Sequence, residues 1–328
     1  MEPYEGRTIL ITGGRGYIGS ALTRSLAEVN CKLILLDQSP VDAWRFEGQR
    51  AEVSLLNGDV SVRKTWDAAL AGVDYVFHLA AKEYFYRSEY DPELDLQFNA
   101  VPILRLLEVC STQNYRPKIV FASSANLFGM VDTLPVNEDS RDDPLTMWAV
   151  HKLTAEHYLQ LYSQQFGIKS ITLRLANVYG PTARWSVMTR VVINKVIAKA
   201  LNGEPLVTYD NRSCVRDFVF LEDVVQAFLL AGADCGSTES PIYVIGSGEG
   251  MAIVDVWQMI AGSVGPHIGK DVSMRFDGAV KIEPLEWRSF VADTTRFQQA
   301  TGWRVLTGLA KGIDITVRAF LSKSGRFL

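Results

Sequence analysis

Cysteine is scarce in this chain and widely scattered. Cys31, Cys110, Cys214 and Cys235 form no CxxC pair and no spacing typical of metal ligands, which excludes the common zinc motifs and implies reduced thiols. No run is long and apolar enough to span a bilayer. Met1 to Tyr4 lead almost directly into an apolar stretch, without the basic and apolar regions of a secretory leader. The expectation is a cytoplasmic protein with no membrane partner and no metal. Charge of one sign is also lacking: a formal net charge of −4 supplies no broad basic field, which argues against nucleic acid as a partner. Any phosphate must be met locally. Internal repeats and low-complexity linkers are absent as well.

What is present is a chain able to bury a core. Of its 328 residues, 48% are hydrophobic and 21% charged, enough for one large or two smaller domains. Apolar runs of strand length stand at Thr8–Thr12, Lys32–Leu36, Tyr75–Leu79, Lys118–Ala122 and Ser170–Leu175, with a shorter one at Val53–Leu56. Between most of them lie amphipathic segments, the best being Ile18–Val29, Leu94–Gln113 and Met147–Phe166. Strand and helix in alternation predict an α/β fold with a doubly wound parallel sheet, a Rossmann fold. After Leu175 the rhythm loosens. Gly180-Pro181 breaks the chain, Met188–Asn202 is helical in pattern, and Gly203-Glu204-Pro205 breaks it again. Val215–Leu221 and Val224–Gly232 read as a further strand and helix of the main sheet. The expected division is therefore 1–175, with 215–235 returning to it, against a smaller region of 176–214 and 236–328.

Directly after the first strand comes Gly13-Gly14-Arg15-Gly16-Tyr17-Ile18-Gly19, opening the first helix. Glycine permits the tight turn, brings backbone amides to a pyrophosphate at the helix N-terminus and lets the helix pack closely on the strand. The second strand leads to Asp37, at the spacing where an acid accepts hydrogen bonds from the adenosine ribose hydroxyls of NAD. Its charge would repel a 2′-phosphate and so favours NAD over NADP, although Arg15 offers a cation for that phosphate. A simple cap before Ser39-Pro40 also explains Asp37. Asp59 and Val60, after the third strand, are candidates for the adenine, or a plain surface turn.

These residues stand in a longer ordered series. His78-Leu79-Ala80-Ala81 follows the fourth strand, Asn99 lies in the next helix, and Ser123-Ser124-Ala125-Asn126-Leu127-Phe128-Gly129 follows the fifth. Later come Leu173-Arg174-Leu175-Ala176-Asn177-Val178-Tyr179-Gly180-Pro181, Arg216-Asp217-Phe218-Val219 and Gly246-Ser247-Gly248. The series resembles, nearly end to end, the extended short-chain dehydrogenase/reductase family. Within it, the likeness is to the branch of sugar-nucleotide epimerases and dehydratases that includes UDP-glucose 4-epimerase. The resemblance implies NAD as cofactor, held by Gly13, Gly16, Tyr17, Ile18, Gly19, Asp37, Asp59, Val60, Leu79, Ala80, Ala81, Asn99 and Lys152. It implies a nucleotide-diphosphate sugar as substrate. Ser124 would meet the sugar, Asn177 and Arg216 the diphosphate, Arg288 the second phosphate, and Leu206 to Tyr209 would lie beside the base. Arginine forks suit phosphate oxygens, though an ion pair with Asp217 or Glu222 would equally occupy Arg216, and Arg288 could be a solvated surface charge. A homodimer, paired through the helices Leu94–Gln113 and Met147–Phe166, is implied too.

One departure bears on chemistry. The family pairs a tyrosine and a lysine four residues apart on one helix face, and the phenol takes a proton from a sugar hydroxyl. Here the segment reads Trp148-Ala149-Val150-His151-Lys152, and an indole only donates. Glu83, Tyr84 and Tyr86 are substitute candidates, each with an ordinary packing or solvated role as its alternative. His151 is rotated off the Lys152 face and reads as a surface residue. Ala125 and Asn126 stand where the family's 4,6-dehydratases carry acids, so epimerisation fits better than dehydration. Two classes of function follow: an enzyme that epimerises a nucleotide sugar at C4 by transient oxidation and hydride return, or a binding protein that keeps both sites without turnover. One-way oxidation or reduction at the same carbon is a third reading.

Overall fold

The computed structural model describes residues 1–38, 48–82, 91–182, 184–234 and 241–324. In chain order its strands are β1 (Thr8–Thr12), β2 (Lys32–Asp37), β3 (Glu52–Asn57), β4 (Tyr75–His78), β5 (Lys118–Ser124), β6 (Ser170–Leu175), β7 (Asn177–Tyr179), β8 (Leu206–Thr208), β9 (Val215–Phe220), β10 (Ile242–Ile245), β11 (Gly250–Ala252) and β12 (Met274–Phe276). The helices are α1 (Tyr17–Ala27), α2 (Arg63–Ala69), α3 (Pro92–Asn99), α4 (Val101–Thr112), α5 (Met147–Phe166), α6 (Val192–Leu201), α7 (Leu221–Asp234), α8 (Ile253–Ile268), α9 (Thr295–Thr301) and α10 (Leu309–Ser324). They group into two compact units. The first comprises Met1–Leu127, Pro144–Arg174 and Val225–Tyr243, and the second Phe128–Asp143, Leu175–Val224 and Val244–Leu328.

The first unit is built on a seven-stranded sheet of order β10-β6-β5-β4-β1-β2-β3. β1 pairs in parallel with β2 and β4, β2 with β3, and β4 with β5, so the α/β doubly wound expectation holds. Strands buried on both faces read as unbroken apolar runs, which is why β1 and β4 were visible as such. Leu10, Leu36, Val76, Ile119 and Phe121 of the sheet pack on Trp66 of α2, Ile103 and Leu107 of α4, and Leu159 of α5. Each such burial contributes roughly 1.5–3 kcal/mol. Beneath this core lies a buried ion pair. Arg174 of β6 donates from Nη2 to Glu156 Oε2 at 2.6 Å and from Nε to both carboxylate oxygens, while the Ser123 hydroxyl donates to Oε1. Cys31 and Cys110 are free buried thiols, which burial pushes up to about 11 and about 12.

In the second unit β9 is the middle of a three-stranded sheet, parallel to β7 and antiparallel to β11. β8 and β12 form a separate parallel pair. α6, α8 and α10 close over them through Ile193, Ile197, Trp257, Ile260, Val317 and Phe320. Gly312 permits the approach of α10, since a Cβ there would lie 2.0 Å from the Tyr179 hydroxyl.

Three expectations are corrected. Leu94–Gln113 is two helices rather than one, because Pro102 lacks an N–H and its ring clashes with the carbonyl one turn back, so the chain resets at Ala100. Met188–Asn202 likewise divides, into a 3-10 segment Trp185–Arg190 and α6, across the extended Val191. Val215–Leu221 does not rejoin the main sheet. Its apolar pattern called for a buried strand, and β9 is one, but pairing partners are set by long-range packing that the pattern does not encode. Among the described residues, no helix is long and apolar enough to cross a membrane, and no cluster of His, Cys, Asp and Glu could hold a metal.

The Arg174–Glu156 pair yields a prediction about stability. Its side chains are 3% and 1% exposed, so Glu156→Gln leaves a buried guanidinium without its counter-charge. The expected loss is about 3–5 kcal/mol in urea unfolding. An unchanged midpoint would contradict it.

Candidate cofactor and catalytic site

The turn after β1 is shaped by close backbone approach. Gly13 has φ +66°, its amide donates to Leu36 O, and a Cβ on it would lie 2.8 Å from the Ala80 nitrogen. Gly16 is the N-cap of α1, bonded to Gly13 O at 2.8 Å. A Cβ on Gly19 would sit 2.1 Å from Gly13 O. Gly13 and Gly19 accept nothing larger than glycine. No side-chain cap bond is made to α1 among the described residues, and its first turn carries no acid, so the positive end of the helix dipole at Gly16 suits an anion.

Asp37 ends β2 beside this turn, where the Arg15 amide donates to its Oδ2 at 3.4 Å. Gly58 N bonds to Asp37 O, and Asp59 Oδ1 accepts from Ser61 N, so Asp59 and Val60 follow β3 next to Asp37. Below them the Thr12 hydroxyl bonds His78 Nδ1 at 2.8 Å and accepts from Ala80 N at 3.3 Å, fixing the Leu79-Ala80-Ala81 segment. Asn99 fixes its far end, accepting from Lys82 N and donating to Lys82 O. The amide of Asn99 is thus engaged by backbone, and its influence runs through that segment. A glycine cradle at a helix start and an acid at the end of the next strand fit NAD.

At the end of β5, Ser124 is buried and its Oγ accepts from Asn126 N at 3.1 Å, leaving the hydroxyl proton to donate. Thr146 caps α5 through Ala149 N, so Trp148 and Lys152 lie one turn apart on the helix. Lys152 is buried, donates to Ala122 O at 2.8 Å, and its Nζ lies 4.6 Å from the Phe121 ring centre and 5.7 Å from that of Trp148. Carbonyl and aromatic faces offset the burial of this ammonium. Its charge and, more strongly, burial push His78 down to about 3. Glu83, Tyr84 and Tyr86 lie outside the described residues.

In the second unit Asn177 donates to Asp217 O at 3.0 Å. Arg216 and Arg288, both buried, are brought together: the Arg216 guanidinium donates to Arg288 O, to Glu286 O at 2.8 Å, and reaches Glu286 Oε2 at 3.4 Å. Neither Asp217 nor Glu222 is its ion-pair partner in this arrangement. Asp217, fully buried, instead accepts from Ser247 N and Oγ, Gly248 N and Ala292 N. That clamp escaped the sequence reading, as did a buried pair of His151 Nδ1 and Asp95 Oδ1 at 2.6 Å. His151 is therefore not a surface residue. Its partner lies 56 residues earlier, so no local signal could have found it.

The family signature described as NAD dependent epimerase/dehydratase family matches residues 9–246. The chain belongs to that family. A UDP-glucose 4-epimerase of Mycolicibacterium smegmatis is 28% identical over 322 residues, covering 96% of this chain and 99% of that protein. A putative UDP-glucose 4-epimerase of Methanocaldococcus jannaschii is 29% identical, covering 90% and 97%. Among solved structures, the UDP-glucose 4-epimerase of Thermotoga maritima with UDP-glucose superposes at a TM-score of 0.83 with 26% identity, over 97% of this chain and 99% of that one. The Thermus thermophilus UDP-glucose 4-epimerase complex with NAD gives 0.77 and 29%, over 96% and 99%.

The burial of His78 beside Lys152 has a pH signature. Its folded pKa lies below its ordinary value, so between about 3 and 6.5 the unfolded chain binds the extra proton. Its contribution to stability is therefore present above 6.5 and is lost as pH falls toward 3. Ring NMR of the native protein should show His78 neutral and non-titrating down to about pH 5. Titration near 6.5 would contradict its placement.

Proposed function

We propose that the protein is an NAD-dependent epimerase of a nucleotide-diphosphate sugar, acting at C4 by transient oxidation to a keto sugar. The observation that carries this is the near-complete overlap with UDP-glucose 4-epimerases, 96% of this chain on 99% of the Mycolicibacterium smegmatis protein. Bound NAD supplies a reversible hydride acceptor. Gly13, Gly16, Tyr17, Ile18 and Gly19 would hold it, with Asp37 for the adenosine ribose, Asp59 and Val60 for the adenine, and Leu79, Ala80, Ala81, Asn99 and Lys152 for the nicotinamide half. Lys152 would bond the nicotinamide ribose, and its ammonium would place positive charge where a sugar hydroxyl loses its proton. Ser124 would donate to the hydroxyl oxygen on the carbon undergoing oxidation. Asn177, Arg216 and Arg288 bind the diphosphate, Arg216 being already oriented by carbonyls and only partly neutralised by Glu286. The first unit thus serves the cofactor and the second the sugar nucleotide.

Trp148 favours a second reading, a protein that binds NAD and a sugar nucleotide without turnover, because its indole accepts no proton. Exposed Leu94 and Leu96 of α3, with Met147, Val150, Leu161 and Phe166 of α5, support the homodimer, which light scattering reads directly. The scattered cysteines support a cytoplasmic location, to be checked by cell fractionation.

A panel of UDP, GDP, CDP and dTDP sugars, followed by NMR, separates the readings. The epimerase reading expects one pair of C4 epimers to interconvert without added reductant, and Lys152→Ala to lower kcat by about a hundredfold. Sugars that bind and never convert would favour the binding protein.

A further inference from the structure

One helical turn after the place where the family carries its tyrosine, this chain holds a buried pair of another kind. Asp95 of α3 is fully enclosed, with Oδ1 2.6 Å from Nδ1 of His151 on α5. Its Oδ2 is buried and has no hydrogen-bond partner among the described residues. A carboxylate so placed is costly unless its charge is answered. The answer comes from one side only, through His151. The imidazole Nε2 makes no hydrogen bond among the described residues, and 11% of the side chain is exposed.

Position matters as much as pairing. His151 follows Trp148 by three residues, so the two stand on adjacent turns with Cβ atoms about 5–6 Å apart. Lys152 follows Trp148 by four and lies on its other flank, with Nζ 5.7 Å from the indole ring centre. Ammonium and imidazole therefore bracket the residue that has lost its phenol. A buried acid that fixes Nδ1 sets the tautomer, leaves Nε2 as the accepting atom and steadies the imidazolium once formed.

We propose that His151, oriented by Asp95, is the proton acceptor that replaces the missing tyrosine. Nε2 takes the proton of the sugar hydroxyl while the hydride of the same carbon is accounted for by the nicotinamide. The same Nε2 returns that proton when the hydroxyl is re-formed, so neither proton nor electron pair is gained over the cycle. Asp95 touches no substrate and acts through His151 as a positioning residue. The assignment rests on the epimerase reading, but its test does not depend on turnover alone.

The experiment has two arms on the full-length protein with the NAD it retains. Nitrogen NMR of the imidazoles, with His151 assigned through His151→Gln, should show a neutral ring protonated on Nδ1 at about pH 8. Asp95→Asn should remove that preference. In the kinetic arm, His151→Gln should lower kcat by about a hundredfold with KM little changed, and added imidazole should restore part of the rate to His151→Gly. A ring already protonated on Nε2 would overturn the proposal. So would wild-type kcat in His151→Gln, above all if Glu83→Gln, Tyr84→Phe or Tyr86→Phe abolishes it. If the wild type converts no sugar, the epimerase reading fails and the tautomer alone decides the Asp95–His151 assignment.

Discussion

At the end of β1, backbone presses on backbone: a side chain on Gly13 would meet the Ala80 nitrogen at 2.8 Å, and one on Gly19 would meet Gly13 O at 2.1 Å. The first unit depends on this contact. It starts α1 at the carboxyl edge of the sheet and sets the turn beside Asp37. It also seats the Leu79-Ala80-Ala81 segment against Thr12, which in turn holds His78. A single methyl at either glycine would move the helix off the strand, and with it every group disposed around a dinucleotide.

α5 couples that cradle to the chemistry. Its inner face is fixed to the sheet by three means: Ala155 and Leu159 in the core, the Glu156 pair with Arg174 and Ser123, and the Lys152 ammonium on Ala122 O. With the helix so held, Trp148 and His151 have little freedom of placement. Burial of charge is concentrated here: Glu156 answers Arg174, carbonyl and aromatic faces meet Lys152, and His151 Nδ1 meets one of the two Asp95 oxygens.

Much of this frame was legible in the sequence. The runs at Thr8–Thr12 and Ser170–Leu175 coincide with β1 and β6, and the helix Met147–Phe166 with α5, because buried strands and a capped amphipathic helix leave local marks. The glycine loop was legible for the same reason, since its spacing states its own steric need. What was not legible lies at long range. The α3–α4 break was hidden by apolar periodicity that continues across Pro102, and the partnership of β9 by an apolar pattern that names no neighbour. His151 looked solvated because an isolated histidine beside a lysine carries no hint of an aspartate on another helix. The Asp217 clamp on Ser247, Gly248 and Ala292 was hidden likewise, although Asp217, Ser247 and Gly248 stand in recognisable motifs.

That the glycine contact and Asp37 build a site for NAD is the claim on which the function stands, and it can be read without any assay of turnover. Denaturing release of small molecules from the natively purified protein, followed by mass spectrometry, should yield NAD in near one-to-one ratio with the chain. It should yield no NADP, since Asp37 repels the 2′-phosphate. Release of NADP in place of NAD, or failure of either dinucleotide to bind when added in excess, would contradict the account.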